Sequence, residues 1–119
     1  MIKVIIETDK FGDILSYEMS GHADYGPYGE NIVCAAASVL GYTALRSLVE
    51  VAGVSEDSLD YEVNHNDGYL RVNLESELYN DKFSDIQTIL KTYDVGIRSM
   101  IESYPKYITL EYRGGGTRV

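Results

Sequence analysis

LDYEVNHNDGYLRVNL, running from Leu59 to Leu74, is the stretch that decides the fold class. Leu59, Tyr61 and Val63 alternate with Asp60, Glu62 and Asn64. After Asn66-Asp67-Gly68 the alternation resumes, with Leu70, Val72 and Leu74 set against Tyr69, Arg71 and Asn73. A period of two is the side-chain repeat of a strand, and Asp-Gly tolerates the positive φ angles of a tight hairpin turn. The stretch therefore predicts an antiparallel hairpin with one apolar face. Such a face must be covered, and the flanking segments are the candidates to cover it.

On the C-terminal side, Asp81 or Ser84 is placed to cap a helix with Phe83, Ile86, Leu90, Tyr93, Ile97 and Met100 on one stripe, ended by Pro105. On the N-terminal side, Asn31 is placed to cap a helix that runs to about Ala52 and stops at Gly53. The first half of that helix, IVCAAASVLGYTAL, carries no charge on any face, which predicts cover on most sides by the sheet, the second helix or another subunit. Gly41 inside it costs about 1 kcal/mol relative to alanine, so close packing is expected there.

Further out, Ile2, Val4 and Ile6 alternate with Lys3, Ile5 and Glu7, and Phe11-Gly12-Asp13 turns the chain. Leu15, Tyr17 and Met19 then alternate with Ile14, Ser16 and Glu18. Ile108, Leu110 and Tyr112 supply a last strand, and residues 114–119 read as a loose tail. The predicted order is ββαββαβ. This is an α+β, two-layer architecture, with two helices on one face of a mostly antiparallel five-stranded sheet.

At 119 residues the chain is expected to form a single domain, and 45% apolar residues suffice for a core. A net charge of −9 argues against direct contact with nucleic acid and suits a basic protein or peptide partner. One cysteine permits no intrachain disulfide, which points to a reducing cytoplasm. The start, MIKVIIETDK, lacks the apolar segment of a signal peptide. The longest uncharged stretch, Ile32 to Leu45, is shorter than the roughly 20 residues of a membrane span. The expectation is a soluble cytoplasmic protein without membrane contact.

Between Gly21 and Glu30 the alternation breaks, and Gly21, Gly26, Pro27 and Gly29 mark a loop long enough to be functional. With Asn31 as N-cap, Cys34 would stand in the first helical turn, where unpaired N–H groups and the helix dipole favour a thiolate. The competing reading is a small apolar residue packed in a core helix. His22, at the end of the second strand, can swing toward that helix start and act as a base, or can be a surface histidine beside a turn. Ser38 shares the helical face of Cys34 and either bonds within a site or back to a helix carbonyl. Asp24 and Glu30 could orient His22 or merely be solvated, and His65 beside the hairpin turn reads as exposed. Backbone N–H groups near Val33 and Cys34 are candidates to hold an oxyanion. No cluster has metal-ligand spacing, and Gly114-Gly115-Gly116-Thr117 lacks the lysine of a phosphate loop, so neither metal nor cofactor is expected.

The segment from Ser20 to Leu40, SGHADYGPYGENIVCAAASVL, resembles the signature of the ribosomal-processing cysteine protease family Prp. The resemblance rests on Gly21-His22-Ala23, the glycines at 26 and 29, Ile32-Val33-Cys34-Ala35-Ala36, Ser38, and the histidine-to-cysteine spacing. It implies a thiol protease that removes an N-terminal extension from a basic large-subunit ribosomal protein, the one numbered twenty-seven. The extension it cuts would be rich in apolar and aromatic residues. The resemblance also implies Cys34 and His22 as the catalytic pair, and Gly21, Asn31 and Ser38 as supporting residues. A mobile loop of Ala23, Asp24, Tyr25, Gly26, Pro27, Tyr28, Gly29 and Glu30 would cover the peptide, and the protein would be a homodimer. The family usually carries an acidic residue where Asn31 stands, so a negative charge beside the histidine is missing here. Two other classes compete. One is a noncatalytic module that binds a ribosomal protein or assists ribosome assembly. The other is a thiol redox protein, which lacks a second cysteine for resolution.

Overall fold

The computed structural model describes residues 1–21, 28–65, 67–75 and 82–116, of which 28–31, 115 and 116 are described by backbone alone. The strands are β1 (Ile2–Asp9), β2 (Ile14–Ser20), β3 (Leu59–Asn64), β4 (Tyr69–Leu74) and β5 (Ile108–Gly116), and the long helices are α1 (Tyr28–Glu50) and α2 (Phe83–Ser103). A short 3₁₀ turn at Glu56–Ser58 leads into β3. The element order is the expected ββαββαβ.

The sheet is ordered β3-β4-β2-β1-β5. Both hairpins pair antiparallel, and β2 joins them by pairing with β4. β5 lies parallel to β1, with Ile2 opposite Ile108 and Val4 opposite Leu110. A parallel neighbour requires a crossover, which the second hairpin and α2 provide. Tyr17, opposite Ile6 on one side and Val72 on the other, shows where the helices sit. Its hydroxyl donates to the Gly41 carbonyl of α1 at 2.9 Å, and its ring lies 4.4 Å from that of Tyr93 on α2. Both helices therefore cover the same face of the sheet. The core between the layers holds Ile2, Val4, Ile6, Met19, Leu70 and Val72 from the strands, and Val33, Leu48, Ile86, Leu90 and Ile97 from the helices.

The close packing expected at Gly41 is present, since a Cβ there would stand 2.7 Å from Leu70 Cδ2. The stripe read for α2 is the buried one except that Phe83 is only half-buried, and Gln87 joins it. The Gln87 amide is used like a strand edge. It accepts from the Ile14 N–H and donates to the Ile14 carbonyl, both at 2.8 Å, and so ties α2 to the start of β2.

Several expected boundaries differ. β2 turns Ile14, Tyr17 and Met19 to the core, not Leu15, because the β1–β2 register shifts after Glu7 and resets the alternation. The N-cap position of α2 is Lys82, without a side-chain cap bond, and Ser84 lies inside the helix; Asp81 is outside the described residues. β5 continues through 114–116 and sets Gly116 opposite Asp9, so the first half of the expected tail belongs to the sheet. Residues 117–119 lie outside the described residues. Finally, Ile32–Glu50 is long and apolar enough to cross a membrane by length and composition, although its longest uncharged run is not. Its Val33, Ala37, Ala44 and Leu48 are sealed against the sheet, as befits a core helix.

Candidate active site

Cys34 is carried by α1, and its place there differs from the expected one. The helix begins at Tyr28, so Asn31 is its fourth residue rather than its cap, and Tyr28, Gly29 and Glu30 belong to its first turn rather than to a loop. Cys34 is therefore the seventh helical residue. The N–H groups of Val33 and Cys34 lie within the i→i−4 ladder and are not free to hold an oxyanion, and the pull of the helix terminus has largely faded there. His22, Ala23, Asp24, Tyr25, Gly26 and Pro27 lie outside the described residues, as does the side chain of Asn31.

The Cys34 side chain is half-buried, packed on the core at one edge and open at the other. Gly21, the last described residue before His22, has φ 92°, and a Cβ on it would come within 2.4 Å of the Met1 carbonyl oxygen. Any other residue would push β2 away from the start of β1, so glycine at 21 fixes the direction in which the chain leaves the sheet.

Ser38 stands one turn beyond Cys34 on the same flank of the helix and is half-buried. Thr88, Thr92 and Ser99 of α2 all bond back to the carbonyl four residues earlier. For Ser38 no such bond is present among the described residues.

The next turn carries Tyr42, which the sequence reading passed over. Its hydroxyl lies 3.1 Å from His65 Nδ1, and the two rings are 5.3 Å apart. Burial raises the Tyr42 hydroxyl above its ordinary pKa, and the negative charge of a Cys34 thiolate raises it further. Tyr42 and the sulfur are thus within electrostatic reach of each other. His65 is exposed, as expected, but it is engaged with the cysteine-bearing helix. The spacing of Tyr42, eight residues from Cys34, was a usable signal. The approach of the β3–β4 turn was not, because it depends on how the hairpin docks. No group of three His, Cys, Asp or Glu side chains among the described residues could hold a metal ion.

Comparison with known proteins places the chain in a family. The family described as cysteine protease Prp matches residues 1–109. The ribosomal processing cysteine protease Prp of Staphylococcus aureus (strain Mu50) is 31% identical over 113 residues, covering 95% of this chain and all of that protein. The crystal structure of the S. aureus protease Prp with a substrate peptide superposes with a TM-score of 0.79 at 28% identity, covering 95% of this chain and all of that one. The same protease with a covalently linked product peptide gives 0.76 at 31% identity over the same shares. The chain belongs to the cysteine protease Prp family, and it is a hydrolase of the thiol-protease class.

Proposed function

We propose that this protein removes the N-terminal extension of the large-subunit ribosomal protein numbered twenty-seven by acyl transfer from Cys34, with His22 as the base. The observation that carries the reading is the single cysteine, half-buried with one open edge, on the helix that follows a Gly-His pair at the end of β2. A thiol there is reachable by a peptide and cannot be diverted into an intrachain disulfide. His22 takes the Cys34 proton as Sγ bonds to the scissile carbonyl carbon. The C–N bond then breaks, the same proton passes to the departing amine, and water hydrolyses the thioester. A covalently linked product peptide in the S. aureus relative is in keeping with such an intermediate. The amides of Val33 and Cys34 have no part in this scheme, being committed to the helix.

Gly21 acts as a positioning residue for His22, and Ser38 lies beside the thiol with its hydroxyl available to the site. Asn31 supports the site without the charge that the family usually places there. The loop from Ala23 to Pro27 covers the bound peptide, and the whole chain works as one domain in the cytoplasm. A charge of −9 suits a basic ribosomal protein better than nucleic acid. The working form is a homodimer, for which α1 offers an apolar outer face of Ile32 and Val39, the latter 64% exposed.

The test is to mix the protein with the ribosomal protein carrying its extension and to weigh the products by mass spectrometry. Loss of one N-terminal segment is expected. An unchanged mass, with binding retained by a folded protein, would replace this reading with the noncatalytic binding module.

A further inference from the structure

Cys34, Ser38, Tyr42, Leu45 and Val49 recur at spacings of three and four residues, which places them along one flank of α1, and all five are half-buried. The other flank is occupied by α2, since a Cβ on Gly96 would stand 3.0 Å from Leu40. The Cys34 flank faces the β3–β4 hairpin instead. His65 at the hairpin turn meets Tyr42, and lower down α1 and β3 enclose a recess of about 250 Å³ walled by Leu45, Val49, Leu59 and Tyr61. The recess is rimmed by Arg46, Glu50 and Glu56. The cysteine, the tyrosine–histidine pair and the apolar hollow thus lie in order along one flank of α1.

We propose that this flank of α1 is the floor of an extended peptide cleft, in which Tyr42 and His65 position the peptide and the α1–β3 recess takes an apolar side chain. The inference rests on the reading of Cys34 as nucleophile and deepens it by assigning specificity residues. The occupant is the peptide being cut, because the recess lies on the same flank of α1 as the candidate nucleophile. Helical rise puts Tyr42 about 12 Å, and Leu45 to Val49 about 16 to 22 Å, from Cys34. An extended chain covers about 3.3 Å per residue, so the recess is reached about five to seven residues from the scissile bond. In the tautomer whose Nδ1 accepts from the Tyr42 hydroxyl, His65 presents its Nε2–H as a donor to a peptide carbonyl on the way.

The experiment compares two peptides spanning the cut in the ribosomal extension, one with three residues on each side and one with eight. The quantity read is the ratio of kcat/KM for the long peptide to that for the short one. The expected ratio for the wild type is about tenfold or more, the scale of one large apolar side chain finding a pocket. It should fall toward one in Tyr61→Ser, drop severalfold in Tyr42→Phe, and stay at the wild-type value in Thr109→Ala on the far strand β5. Replacing the apolar residue about five to seven positions from the cut with aspartate should produce the same loss without altering the enzyme. A wild-type ratio near one, or no loss with either Tyr61→Ser or the aspartate peptide, while the short peptide is still cut, overturns the cleft and leaves the protease standing. Failure of the wild type to cut either peptide overturns the protease reading itself.

Discussion

The ring of Tyr93 stacks on Tyr17 with centroids 4.4 Å apart, and its hydroxyl is buried without a hydrogen-bond partner among the described residues. The ring contributes to the core, whereas the hydroxyl loses its water and gains nothing in return. Tyr93→Phe should therefore raise stability by about 1 kcal/mol, seen as a higher midpoint of urea unfolding. Both tyrosines also have their ionisation pushed well above the ordinary value near 10, by burial first and then, for Tyr17, by Tyr93 and, for Tyr93, by Asp94. The unfolded chain releases these protons near pH 10 and the folded one only well above it. The stability they hold is complete below about pH 10 and is lost as pH rises beyond it, by roughly 1.4 kcal/mol per pH unit for each. Tyr93→Phe should make that alkaline loss shallower, and an unchanged slope would show that Tyr93 does not titrate with unfolding. Tyr93 itself was legible as a core position from its helical spacing. Its missing partner was not, because satisfaction of a hydroxyl depends on which groups the other helix and the sheet bring near.

Among the elements, α2 was readable because its apolar stripe is narrow and its opposite face is charged. α1 was readable in existence but not at its start. Its uncharged first half gives no face to count from, and the glycines at 26 and 29 with Pro27 read as a loop as far as Glu30, whereas the helix begins at Tyr28. The consequence is chemical, since it moves Cys34 into the second turn and removes two amides from the oxyanion candidates. The same composition leaves Ile32 and Val39 exposed on a helix whose inner stripe is already satisfied by the sheet. With that face at the dimer contact, Val39→Lys should shift the protein from dimer to monomer in sedimentation or light scattering, with the melting temperature little changed. A wild type that is monomeric at tens of micromolar would leave this face without its proposed partner.

For the molecule as a whole, the alternations of five strands and two helical segments were enough for the ββαββαβ order and for placing both helices on one face. The strand sequence β3-β4-β2-β1-β5 was not readable, because it depends on β5 returning past a hairpin and a helix to lie parallel to β1, a long-range pairing with no local marker. The meeting of Tyr42 with His65 was hidden for the same reason. The histidine and cysteine of the candidate pair, by contrast, were visible as a motif before any fold was known. Their joint action is the central claim. It is tested most directly by incubating the wild type, Cys34→Ala and His22→Ala with one peptide spanning the ribosomal extension and reading the products by mass spectrometry. A single cut by the wild type, none by Cys34→Ala, and a rate at least about a hundredfold lower for His22→Ala is the predicted result. The same cut made by Cys34→Ala at the wild-type rate would contradict it.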